Sequence, residues 1–155
     1  MPQISQVFQP PRFWQEFEEL TRGVFSKVFE DPSPNMVGRP GQAQNGVDVY
    51  GRCRRHGLVG IQCKRLDDLD ENNEPHPGGV ITAKILNEEI KKAEKFSPTL
   101  GFWILATTAK RDEAIQRRAR QLDEERTKSG RFGVGLWFWD DYVSQLNIHP
   151  ELQRW

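Results

Sequence analysis

The run Leu100-Gly101-Phe102-Trp103-Ile104-Leu105-Ala106-Thr107-Thr108 is almost continuously apolar, and it constrains the fold more than any other segment. It is far shorter than the roughly 20 residues that span a bilayer as a helix. It also lacks the in–out alternation of a strand with one wet face. A strand of this kind is buried on both faces, so covering layers lie above and below it. The chain has 155 residues, enough for one α/β domain in which helices supply both layers.

The flanking segments supply those helices. Phe13, Phe17, Leu20, Val24 and Val28 fall at helical spacing and predict a first helix from Phe13 to Phe29. Pro10-Pro11 marks its start, and Asp31-Pro32-Ser33-Pro34 cannot continue it. A loop by composition, Gly38 to Gly46, leads to a strand at Val47-Asp48-Val49-Tyr50. A turn at Arg54-Arg55-His56-Gly57 joins it to a second strand, Leu58 to Lys64. The acidic stretch Asp67 to Gly79 reads as a solvated loop. A second helix from Ile81 to Phe96 turns Ile85, Ile90 and Ala93 inward. A third helix spans Asp112 to Lys128, a last strand Val134 to Trp139, and a short helix Asp140 to Leu146. The predicted order αββαβαβα is a mixed central sheet with helices on both faces.

Composition excludes several classes. Two cysteines rule out a disulfide scaffold and fit a reducing cytoplasm. No segment has the length and apolarity of a membrane span. Twenty-two Lys+Arg balance 22 Asp+Glu, so the chain is not basic throughout, although local patches remain. No GxxxxGK[ST] loop is present, so this segment carries no nucleotide-hydrolysing motor.

The chemistry concentrates on the paired strands. Alternation turns Gln62 and Lys64 to one face and Ile61 and Cys63 to the other. Asp48 lies between two valines on the strand expected to pair with them. A carboxylate, a carboxamide and an ammonium are thus presented together. Asp48, the Gln62 oxygen and the Cys63 backbone carbonyl suit a hard cation such as Mg²⁺, which takes oxygen ligands and shares its shell with phosphate. Lys64 is placed to orient or help deprotonate an attacking water and to offset charge on the phosphate.

These segments, Gly46-Val47-Asp48-Val49-Tyr50-Gly51 followed by Gly60-Ile61-Gln62-Cys63-Lys64, resemble the PD-(D/E)XK nuclease signature in its Mrr-type form, in which Gln replaces the second acid. The loop from Gly38 to Gly46, the strand end Ala106-Thr107-Thr108-Ala109 and Gln116-Arg117-Arg118-Ala119-Arg120-Gln121-Leu122 extend the resemblance to N-terminal effector nuclease domains of anti-phage defence NTPases. It implies a restriction-endonuclease-like fold, Mg²⁺-dependent (or Mn²⁺-dependent) hydrolysis of double-stranded DNA, and a fused or associated NTPase or sensor domain. Asp48, Gln62 and Lys64 match its motif. It also implies an acid on the first helix, for which Glu16, Glu18 and Glu19 are candidates. At about 100° per residue Glu18 falls within the apolar arc, Glu16 just off its edge and Glu19 well outside, which favours Glu18.

The expected DNA contacts are Arg52, Arg54, Arg55 and Arg65 beside the motif, Gln44 in the glycine-rich loop, and Arg117, Arg118 and Arg120 on the third helix. Cutting both strands of a duplex needs two sites, so a homo-oligomer is expected. Two rivals stand beside this reading. One is a catalytically inactive nuclease-fold module that binds nucleic acid or a partner protein. The other is a zinc-held module using Cys53, His56, Cys63 and His76, whose spacing matches no standard finger.

Overall fold

Five apolar residues of the central run, with Thr107 after them, form an inner strand, as their composition requires. The computed structural model describes residues 6–38, 45–64, 66, 72, 74 and 79–153. The expected loop at 67–79 lies almost entirely outside them. The elements in chain order are α1 (Trp14–Phe29), β1 (Asn35–Met36), β2 (Val49–Cys53), β3 (Gly57–Lys64), α2 (Ala83–Ala93), β4 (Phe102–Thr107), α3 (Glu113–Lys128), β5 (Gly133–Trp137) and α4 (Trp139–Ile148), then a 3₁₀ turn at Pro150–Leu152. Among the described residues, no helix is long and apolar enough to cross a membrane.

The sheet has five strands in the order β1-β2-β3-β4-β5. β1, β2 and β3 run antiparallel in sequence, whereas β3–β4 and β4–β5 are parallel. The two parallel steps are crossovers through α2 and α3. The fold is therefore α/β with a mixed sheet, as expected, but the order needs correction because β1 intervenes between α1 and β2. Two residues including a polar Asn give no periodicity to read. A second correction falls at the last strand, which stops at Trp137. Phe138 caps α4, its N–H donating to Asp141 Oδ2 at 2.8 Å, and Trp139 enters the helix instead of the sheet.

Alternation along the inner strands divides the core into two layers. Trp103 and Leu105 join Leu86, Ile90, Ala93, Ile115 and Ala119, so α2 and α3 cover one face. Ile61, Cys63, Ile104 and Ala106 join Phe17, Leu20, Val24, Phe25, Tyr142 and Leu146, so α1 and α4 cover the other. Helix starts follow the sequence. Thr82 accepts the Ile85 N–H at 3.2 Å and Asp112 accepts the Ile115 N–H at 3.2 Å, satisfying donors that a helix start leaves unpaired.

The approach to β2 is pinned at Gly46. Its φ is +71°, and its carbonyl accepts the Trp103 indole N–H at 2.9 Å. A Cβ there would sit 2.5 Å from the Ala93 nitrogen. Only glycine combines this left-handed backbone with so close an approach to α2. Gly46→Ala should cost about 2–4 kcal/mol, adding left-handed strain to an overpacked contact. Urea denaturation measures it, and a loss below about 0.5 kcal/mol, the ordinary scatter of surface substitutions, would show that this loop is free to move.

Candidate active site

The site forms where β2 and β3 open apart. Val49 pairs with Ile61 at the last rung of their ladder. One residue earlier, the Asp48 N–H donates to the Ile61 carbonyl at 2.8 Å, a step out of that register. The displacement places Asp48 just before the strand instead of within it. Its carboxylate turns to β3 and accepts the Cys63 N–H at 2.7 Å. Its carbonyl accepts the Val37 N–H at 2.8 Å. Asp48 is thus held by main chain on two sides and is 1% exposed. Within a strand, one residue's N–H and C=O face the same neighbour, so the Cys63 carbonyl lies on the Asp48 side as well.

A carboxylate buried this deeply is disfavoured in its charged form. Burial pushes the Asp48 carboxyl up from 3.8 to about 7; the Cys63 N–H opposes this, the charges of Glu18 and Glu89 add to it, and Lys64 opposes it. Gln62 is half-buried, yet its Oε1 is buried with no hydrogen-bond partner among the described residues. An acceptor left dry costs on the order of 1–3 kcal/mol, so it marks a place where a donor or a cation fits.

Lys64 ends β3, and its ammonium reaches Glu89 Oε1 on α2 at 3.3 Å. Glu89 is 2% exposed and also takes Lys92 Nζ at 3.1 Å. Sequence reasoning missed Glu89, although the signal was present. It lies three residues after Leu86 and four before Ala93, both core residues, and so falls on the inner face of α2.

From the opposite layer, α1 brings Glu18. Burial raises its carboxyl above 4.5, a Trp14 side-chain hydrogen bond opposes this, and Glu19 adds to it. Its charge is felt at both Asp48 and Cys63. One turn on, Thr21 fastens the helix to β3: the Cys63 thiol donates to Thr21 Oγ1 at 3.4 Å, and the Thr21 and Tyr142 hydroxyls share a 2.6 Å hydrogen bond. Burial raises both the Cys63 thiol and the Tyr142 hydroxyl well above their usual values, so this network stays neutral. Glu16 and Glu19 line a separate cavity of about 470 Å³ with Leu20, Glu151 and Leu152. Of the three acids, Glu18 is the one joined electrostatically to Asp48.

The basic residues divide. Arg52, Arg54 and Arg55 are exposed around the β2–β3 turn, which closes the hairpin at the end remote from Asp48. Five strand residues, about 17 Å, separate Asp48 from Arg54, and three, about 10 Å, separate it from Arg52. The expectation that they flank the motif is therefore corrected: they adjoin it in sequence order but not in space. Arg117, Arg118 and Arg120 lie in the first half of α3. That helix starts from the same end of the sheet as Lys64, because β3 and β4 run parallel with Lys64 opposite Thr107. Glu113 pairs with Arg117 and lies 3.9 Å from Arg120, while Arg118 reaches Gln121 at 3.5 Å. Arg65, Gln44 and His76 lie outside the described residues.

Among the described residues, no three His, Cys, Asp or Glu side chains converge to hold a metal ion. Cys53 accepts the His56 backbone N–H at 3.3 Å, and the His56 ring stacks on Phe102. Cys63 is in the core, so the imagined zinc set does not assemble around it. The oxygen set of Asp48, Gln62 and the Cys63 carbonyl needs only one acid. No family model, curated protein or solved structure matches this chain.

The raised Asp48 carboxyl has a consequence for stability. Between about pH 4 and pH 7 the folded chain holds a proton there that the unfolded chain has lost, so this group's contribution falls as pH rises. About three units at ~1.4 kcal/mol each set an upper scale of roughly 4 kcal/mol. Asn keeps the acceptor for the Cys63 N–H and removes the charge. Metal-free Asp48→Asn should match the parent near pH 4 and exceed its stability by a few kcal/mol at pH 8. Urea titrations across this range test it; parallel profiles would mean that Asp48 is ionised without penalty.

Proposed function

We propose that this chain is a metal-dependent endonuclease that hydrolyses phosphodiester bonds of double-stranded DNA. The observation that carries the reading is a buried Asp48 whose carboxylate is fixed by the Cys63 N–H, followed on β3 by Gln62, whose buried oxygen has no hydrogen-bond partner among the described residues, and by Lys64. The orphaned oxygen fits a cation of the Mg²⁺ type, which accepts a small number of protein oxygens and keeps several waters. Asp48, the Gln62 oxygen and the Cys63 carbonyl would hold it. When bound, it would supply Lewis-acid charge at the scissile phosphate.

The chain's own residues do the rest. Asp48 is positioned by the Cys63 N–H and brings negative charge without rotational freedom. Lys64 brings an ammonium to the strand face it shares with Gln62, where it orients the attacking water and offsets charge as a new P–O bond forms and the bond to one sugar oxygen breaks. Glu18 adds a carboxylate from α1. Arg117, Arg118 and Arg120, at that end of the sheet, are suited to backbone phosphates. The resemblance to effector nucleases of anti-phage defence NTPases supports placing the domain in such a cytoplasmic system, as a homo-oligomer with a linked NTPase or sensor.

A second reading, an inactive module of the same fold that binds nucleic acid or a protein, is favoured by one observation: Lys64 is engaged by Glu89. Plasmid cleavage separates the two. Supercoiled DNA should disappear with Mg²⁺ or Mn²⁺ and persist in EDTA; persistence under all conditions would favour the inactive module.

Lys64 gives the sharper test of mechanism. Removing one charge that acts in the transition state costs on the order of 10²–10³ in rate. The ground-state complex has many other phosphate contacts, so affinity should fall far less. Lys64→Ala should therefore bind DNA nearly as well as the parent and cleave it about 10²–10³-fold more slowly. Lys64→Arg should not rescue it, because a guanidinium is bulkier and does not release a proton. Wild-type cleavage combined with weakened binding would make Lys64 an ordinary backbone contact.

A further inference from the structure

Glu89 is used by only half of its carboxylate. Oε1 receives both ammonium groups, Lys64 at 3.3 Å and Lys92 at 3.1 Å. Among the described residues, nothing hydrogen-bonds to its buried Oε2. The idle oxygen of a buried carboxylate loses its water without return. Among the described residues the other buried side-chain oxygen in this state is Gln62 Oε1. Gln62 shares a strand face with Lys64, whose ammonium touches Glu89, so both idle oxygens belong to the α2 side of the sheet's open end. The charge of Glu89 also reaches Asp48.

We propose that Glu89 Oε2 is a ligand of the divalent cation, completing with Asp48 and Gln62 an oxygen set assembled from the approach to β2, from β3 and from α2. The inference rests on the metal-dependent reading above and deepens it. Gln62 brings an oxygen but no charge, and Glu89 supplies the second negative charge from a neighbouring element. Its other oxygen holds Lys64, so the same carboxylate joins the cation to the ammonium that acts beside it. Two carboxylates and one carboxamide also agree with the lack of a three-acid cluster among the described residues.

The test is Mn²⁺ binding to the full chain by titration calorimetry, with no DNA present. Glu89→Gln keeps the side-chain shape, and both lysines have partly exposed side chains, at 34% and 58%, free to turn to water. It should weaken Mn²⁺ binding tenfold or more while the metal-free protein still melts cooperatively. Lys92→Ala, a change near the surface, should tighten binding severalfold by releasing Oε1 from a competing charge. Unchanged affinity in Glu89→Gln would overturn the proposal and leave Glu89 as a holder of Lys64. Should Glu89→Gln fail to fold, Lys92→Ala decides: tighter binding supports the ligand role, and unchanged binding removes it. Asp48→Asn separates the two levels. Binding lost in Asp48→Asn but kept in Glu89→Gln defeats this inference alone, whereas equal Mn²⁺ binding by the parent and Asp48→Asn defeats the metal-dependent reading and the inference with it.

Discussion

The 2.7 Å hydrogen bond from the Cys63 N–H to the Asp48 carboxylate is the contact on which the rest of the site depends. A β-ladder ends when one strand runs out of main-chain acceptors. Here a side chain supplies the next acceptor, one residue before β2 begins, and the main chain is released to bend away toward Val37 and Gly46. Two results follow from the same bond. The open end of the hairpin is closed without another strand residue, and a carboxylate is fixed in a dry position. The carboxylate is fixed by main chain, and Trp103 holds the Gly46 carbonyl just before it.

The covering layers then decide what surrounds that carboxylate. A mixed sheet with helices on both faces has an end at which both layers meet the strand termini. α1 reaches it from one side, held by the Thr21–Cys63–Tyr142 network, and brings Glu18. α2 reaches it from the other, its start fixed by Thr82, and brings Glu89. β3 runs between them and contributes Gln62 and Lys64 from a single face. The cavities of about 470 and 350 Å³ lie elsewhere, against the 3₁₀ turn and between the ends of α2 and α3.

Much of this was legible in the chain because strong periodicities encode it. The 3.6-residue spacing of Phe17, Leu20 and Val24 fixed α1, and the unbroken apolar run fixed β4 as an inner strand. The alternation of Gln62, Cys63 and Lys64 placed two of them on one face, as found. Three things were hidden, each for a physical reason. β1 is too short to have a period. The placement of Asp48 outside β2 comes from a register step that only the paired strand reveals. The separation of Arg52, Arg54 and Arg55 from the motif arises because a hairpin returns the chain to its starting point, so residues near in sequence lie at its far end. Glu89 differs from these: its helical position was readable, but a single acid within an amphipathic segment rich in charge draws no attention until its partners are known.

The neutral residue at position 62 follows from the charge already assembled there. The charges of Glu18 and Glu89 add to the cost of an ionised Asp48, and Lys64 opposes it. Without a cation the least costly answer is a proton on Asp48, which is what a carboxyl near 7 means. A second carboxylate at position 62, one residue before Cys63 on β3, would add like charge beside two carboxylates that are already buried and poorly screened. A carboxamide keeps an acceptor oxygen in that place without the charge. It leaves the fold tolerable: β3 and the approach to β2 fix an acceptor and one carboxylate in place, while α1 and α2 bring the further carboxylates Glu18 and Glu89 to the same end of the sheet.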